Sequence, residues 1–162
     1  MSVDRQGAER ESVVGARNRP VDSLMVNVVL RPLVASLQLM AAYVLVHGHY
    51  SPGGGFQSGV LLAAAVFLLD FVPRKERAGY LTLSERGAAI MASAGVLGAT
   101  VVGLVPMAYG SSFLDYAALP FGMDPAPTRS LGILLFEVGI TFAVTGVILS
   151  IFHSLNAEDV EP

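Results

Sequence analysis

Four apolar runs, each bounded by charged or turn-forming residues, dominate the chain: Leu24 to Val46, Phe56 to Val72, Ala88 to Met107 and Leu131 to Leu155. About 20 apolar helical residues cross a bilayer core, where every backbone polar group must find its partner within its own segment. The runs therefore predict an all-α, polytopic membrane protein with four transmembrane helices, at about 32–47, 56–72, 88–107 and 131–152, in a membrane domain of residues 24–155. Composition agrees: 53% of residues are hydrophobic and 14% charged, where a soluble domain carries roughly a quarter charged. Residues 1–23 read as a mobile polar tail with no apolar stretch for a signal-peptide core. Residues 156–162 read as a short C-terminal tail.

Within the first run, Arg31 and Pro32 place the true span from about Pro32 onward, with Leu24 to Leu30 as an interfacial lead-in and Arg31 free to snorkel. The segment from Ala108 to Arg129 holds Pro120, Pro125, Pro127, Tyr109, Tyr116, Phe113 and Phe121, and reads as a folded interfacial loop with aromatic anchors. Arginine and lysine precede span one and lie between spans two and three, at Arg74, Lys75, Arg77 and Arg86. By the positive-inside rule both termini face the cytoplasm. Cysteine is absent, which excludes disulfides, thiolate metal sites and a cysteine nucleophile. A net charge of -3 without a basic and aromatic surface argues against nucleic acid as a partner.

Small residues mark two faces. Gly95, Ala99 and Gly103 recur every fourth position in the third run, and Gly132, Gly139 and Gly146 every seventh in the fourth. Such faces let helices approach closely in lipid. The most specific stretch joins the first two spans: His47-Gly48-His49-Tyr50-Ser51-Pro52-Gly53-Gly54-Gly55-Phe56, with Gly59 beyond it. Its first reading is a tight helical hairpin turn, since Pro52 and three glycines permit angles other residues avoid. The sharper reading is that bare glycine amides, with His47 or His49, line an ion or proton route. Two histidines without a carboxylate or cysteine nearby make a poor metal site. The glycines follow a helix and precede no Gly-Lys-Ser/Thr, so they are no phosphate loop.

Glu137 is the residue most expected to carry function, because an acidic side chain inside an apolar helix is costly and usually faces a bundle interior or a water path. Burial disfavours a charged carboxylate and a nearby cation favours it, so one carboxyl can exchange a proton for an ion. Thr141 and Thr145 follow on the same helical face and extend a polar stripe. The alternative is that Glu137 pairs with a neighbouring subunit and fixes assembly. Asp70, at the end of span two beside a basic cluster, reads as an interfacial ion pair or a further member of the path. Asp115 and Asp124 read as solvated loop residues and His153 as a helix-terminus residue. Acid, base and nucleophile do not converge, which argues against an enzyme and against any cofactor.

Gly48-His49-Tyr50-Ser51-Pro52-Gly53-Gly54-Gly55-Phe56 with Gly59 resembles the GH-x-x-PGGGF signature of the MrpB-like small subunits of the Mrp-type multisubunit sodium/proton antiporters. Leu134-Leu135-Phe136-Glu137-Val138-Gly139-Ile140 resembles that family's last helix, and together the likeness spans about Arg31 to Leu155. Tyr50 and Ser51 stand where the family more often has an Asn-x pair, and Glu137 where Asp is frequent. The resemblance implies a small subunit of a monovalent cation/proton antiporter in a prokaryotic cytoplasmic membrane, partnered by larger hydrophobic subunits. It equally suits the homologous subunit of membrane-bound hydrogenase complexes. The site expected is Glu137, Thr141, His49, His47 and Asp70 on an ion or proton path, with Gly48, Pro52, Gly53, Gly54, Gly55, Phe56 and Gly59 forming the turn. A purely structural subunit is the competing expectation.

Overall fold

The structure, a computed structural model, describes residues 26–48, 53–69 and 83–158, and the described residues form helices and turns. Helix α1 covers Arg31–His47 and is entered through a π-helical turn, Val26–Leu30. Helix α2 covers Gly55–Leu69, α3 Glu85–Ala108 and α4 Pro125–Glu158, with a short 3₁₀ turn at Tyr116–Ala118 in the loop between the last two. Among the described residues, three stretches are long and apolar enough to cross a membrane: Val28–His47, Glu85–Ala108 and Pro125–Leu155. Helix α2 is apolar but has 15 residues, a rise of about 22 Å against a hydrocarbon core of about 30 Å.

Proline shapes two helix starts, and the second differs from the sequence reading. The chain is already helical before Pro32, which sits in the first turn of α1 after a π turn. A proline lacks the N–H that an α-helix interior needs and its ring crowds the carbonyl four residues back. The wider π turn and a first-turn position remove both conflicts. Helix α4 starts at Pro125, ahead of the apolar run that begins at Leu131. Pro125 and Pro127 occupy first-turn positions whose N–H groups have no helical acceptor in any case. The Thr128 amide then opens the ladder by donating to the Asp124 carbonyl at 3.1 Å.

The ends of α2 and α3 follow from side-chain capping. Gln57, three residues into α2, accepts at Oε1 from the Gly54 amide at 3.1 Å, the reach-back half of a capping box. Ser84 caps α3 by accepting from the Gly87 amide at 3.2 Å.

Helix α4 is the hub, packing along α3 and α2, while α1 packs chiefly on α2. Between α3 and α4 the expected small-residue faces meet at Gly95, Ala99, Gly139 and Gly146, while Gly103 and Gly132 lie instead against Phe113 and Leu119 of the connecting loop. A Cβ added at Gly139 would lie 2.8 Å from the Ala99 amide nitrogen and 2.9 Å from the Gly95 carbonyl oxygen. One at Gly146 would press on Ala92 and lie 2.5 Å from the Ala88 carbonyl oxygen. Lipid is as apolar as leucine, so helices in it associate through close packing and hydrogen bonds, which absent side chains permit. Two apolar clusters complete the interior: Val34 with Ala65 and Leu69 between α1 and α2, and Ala63, Val66, Ala88 and Leu149 where α2, α3 and α4 meet.

Candidate functional site

The site forms where the turn between α1 and α2 runs into α4. Gly55 opens α2 directly against the backbone of Glu137: a Cβ on Gly55 would lie 3.0 Å from the Glu137 carbonyl carbon, and closer still to its oxygen. The carboxyl of Glu137 reaches back over the turn. A Cβ on Gly54 would lie 2.6 Å from Glu137 Oε1, and one on Gly48 would overlap Oε2 and stand 2.9 Å from Cδ. At Gly48 and Gly54 an added side chain would displace the Glu137 carboxyl, whereas at Gly55 it would meet the Glu137 backbone, which cannot rotate away. Glu137 Oε2 is shut off from solvent. The carboxyl also stands beside the N-terminus of α2, where unsatisfied amides and the helix dipole favour negative charge.

Below the carboxyl, hydroxyl groups tie α4 to α2. Thr141 Oγ1 lies 2.9 Å from the Glu137 carbonyl oxygen and 3.1 Å from that of Gly55, and donates its one hydrogen between them. One turn further, Thr145 Oγ1 lies 2.7 Å from the Thr141 carbonyl oxygen and 3.1 Å from that of Gly59. Both threonines are at most 2% exposed. Toward α1, the buried Ser58 hydroxyl donates to the Ala41 carbonyl at 2.8 Å. These three bonds join α1, α2 and α4 through main-chain oxygens, a link available only where the backbones come this close.

Of the residues expected on a path, Glu137 and Thr141 meet at the turn. His47 lies exposed on α1, its Nδ1 donating to the Tyr43 carbonyl at 3.0 Å and its ring stacked on Tyr43 at 4.1 Å. His49, Pro52 and Asp70 lie outside the described residues. Of the turn residues, Gly48, Gly54 and Gly55 line the carboxyl, while Gly53 backs onto Val44 and Gln57. Gly59 faces Val144 and Thr141. Phe56 is 64% exposed and lines an apolar groove of about 560 Å³ with Met40, Val44 and Val60. His153, at the far end of α4, donates from Nδ1 to the Leu149 carbonyl at 2.8 Å.

Tyr116 and Ser58 were not singled out by the sequence for this site. The Tyr116 ring stands 6.1 Å from that of Phe136, the residue before Glu137. Burial, and after it the Glu137 carboxylate, hold the Tyr116 phenol above its ordinary pKa. In sequence Tyr116 is one aromatic among several in a proline-rich loop, and only the folded loop shows which of them reaches α4.

A bundle of apolar helices long enough to cross a bilayer defines a membrane protein, with one carboxyl held at a helix junction against a glycine turn. The comparison with known families is specific: the model for a domain related to the MnhB subunit of Na+/H+ antiporter matches residues 25–150. Two similar proteins, each named "Putative antiporter subunit mnhB2", come from Staphylococcus aureus strains Newman and JH1. Each is 30% identical over 137 residues, covering 83% of this chain and 95% of its own. The chain belongs to the MnhB family.

Proposed function

We infer that the chain is a small membrane subunit of a multisubunit monovalent cation/proton antiporter, and that Glu137 is its exchanging carboxyl. The observation that carries this reading is the enclosure of Glu137 by Gly48, Gly54 and Gly55 at the N-terminus of α2. Desolvation there favours the protonated acid, while the helix terminus and an arriving cation favour the anion, so the two occupancies compete for one carboxyl. The family match and the S. aureus relatives, named as antiporter subunits, support the setting. Thr141 serves in this reading as the clasp that keeps Glu137 at the turn.

The same reading takes the second apolar run, which α2 forms in part, as a fourth span. Both termini then lie on the cytoplasmic side of a prokaryotic inner membrane, with other hydrophobic subunits covering the apolar outer faces. The groove beside Phe56, Met40 and Val60 is one such face.

The test is sodium-dependent proton exchange in everted vesicles carrying the full complex, comparing wild type with Glu137→Gln at matched assembly. Loss of exchange is expected, since a glutamine keeps the volume but cannot trade a proton for a cation. Unchanged exchange would assign the subunit a structural role, which the tight hydroxyl and glycine contacts would also serve.

A further inference from the structure

The hairpin of α1 and α2 turns well short of the ends of α3 and α4. Gly48 closes α1 and Gly54 precedes α2, and both stand against the Glu137 carboxyl, so the two ends of the turn share its level. Helix α2 runs in the same direction as α4, since Gly55 meets Glu137 and Gly59 meets Thr141. From that level toward the α3–α4 loop, α4 continues through the apolar residues 131–136 to the exposed Arg129, about 12 Å away at the helical rise. Helix α3, whose Ala99 faces Gly139, continues alongside to Ala108, about 13 Å of rise. Leu104 and Met107 of that stretch are exposed and apolar, as are Leu131 and Leu135 of α4. The level of Glu137 and of both turn ends therefore lies at hydrocarbon depth, below the surface that Arg129 marks.

Non-helical backbone at such depth is tolerated only where protein buries it or water reaches it. Within this chain α4 covers one side of the turn ends. The α3–α4 loop docks on a different face of α4, the one that carries Gly132 and Phe136. Ile133 and Leu134 stand one helical turn before Glu137 and on its own face. Both are only half-buried, and Ser130, a further turn toward the surface, is exposed. We propose that the space above the carboxyl, walled by Ser130, Ile133 and Leu134, is an aqueous recess open on the side of the α3–α4 loop, through which cations and protons reach Glu137. The proposal rests on the reading of Glu137 as the exchanging group and deepens it by giving that group its side of access. A carboxyl that trades a proton for a cation needs water on at least one side, and a lipid tail or a partner helix laid over it would shut it off.

The chain has no cysteine, so a single introduced thiol reports on its own position. Leu134→Cys places one in the recess. Leu104→Cys places one at a similar height on the outer face of α3, where Leu104 is 48% exposed. Each is treated in the assembled complex with a membrane-impermeant thiol reagent, in right-side-out and in everted vesicles, and the label is read on this subunit. Leu134→Cys is expected to react about tenfold faster than Leu104→Cys, and from the loop side only, because the reactive thiolate forms in water and is suppressed in apolar surroundings. Ile133→Cys, on the same face, replaces it should Leu134→Cys fail to assemble. Equal rates overturn the recess: slow ones mean that lipid or a partner subunit covers the carboxyl, fast ones that its level is not at hydrocarbon depth. Labelling from the opposite side alone overturns the side of access. Exchange that survives Glu137→Gln overturns the role of the carboxyl, a result read independently of the labelling.

Discussion

Replacing Gly59 by alanine is expected to destabilise the α2–α4 junction, whereas the same replacement at Gly98 is not. A methyl on Gly59 would lie 2.8 Å from Val144 Cβ and 3.0 Å from the Thr141 carbonyl oxygen. Restoring an ordinary contact of about 3.4 Å moves the helices apart by about 0.6 Å, and the second obstacle is backbone that cannot rotate away. The Thr145 hydroxyl, now 3.1 Å from the Gly59 carbonyl, would then stand beyond hydrogen-bonding reach. Overpacking costs about 1–3 kcal/mol and an interhelical hydrogen bond in lipid about 0.6 kcal/mol. The removal of a helical glycine returns about 0.5–1 kcal/mol. The net expectation is a loss of about 0.6–3 kcal/mol. At Gly98 nothing lies within 4 Å of the added methyl, so only the favourable term remains. The assay is the temperature at which the detergent-solubilised complex loses this subunit on a native gel. A Gly59→Ala complex as stable as the Gly98→Ala complex would refute the reasoning, because it would mean that α2 and α4 do not approach as closely as the structure has them.

Thr145→Val keeps the side-chain volume and removes the bond to Gly59, so the complex should lose about 0.5–1.5 kcal/mol while exchange activity per assembled complex stays at wild type; loss of turnover without loss of stability would place Thr145 on the ion route instead. In an absorbance titration the Tyr116 phenol, identified by its absence in Tyr116→Phe, should ionise above the ordinary tyrosine range, because burial and the nearby carboxylate both resist a second negative charge. Glu137→Gln removes the smaller of the two causes and should lower that value part of the way toward normal.

The class of the protein and most of its parts were legible in the order of its residues. Apolar runs of spanning length, separated by charged and proline-rich segments, admit only membrane helices, because hydrocarbon leaves the backbone no external partner. Glu137 stood out for the cost of placing an acid in such a run, and the Gly48 to Phe56 turn for its glycine density. The faces of Gly95 and Ala99 and of Gly139 and Gly146 were legible from their spacing, since helical period alone aligns them. Helix limits were legible less well: Pro32 read as an early helical residue, but the prolines at 125 and 127 read as loop and stand in the first turn of α4, and composition cannot tell the two positions apart.

What these parts do to one another was settled by their packing. The glycines of the turn proved to be the volume into which the Glu137 carboxyl folds, and Thr141 and Thr145, read as an extended polar stripe, proved to be donors to the backbone of α2. Tyr116 acquired its place through Gly132 and Leu119, contacts that join a loop to a helix without any periodic signal. Periodicity encodes which side of a helix faces inward; it does not encode which helix lies opposite, and the meeting of a carboxyl with a glycine turn is a property of that packing alone.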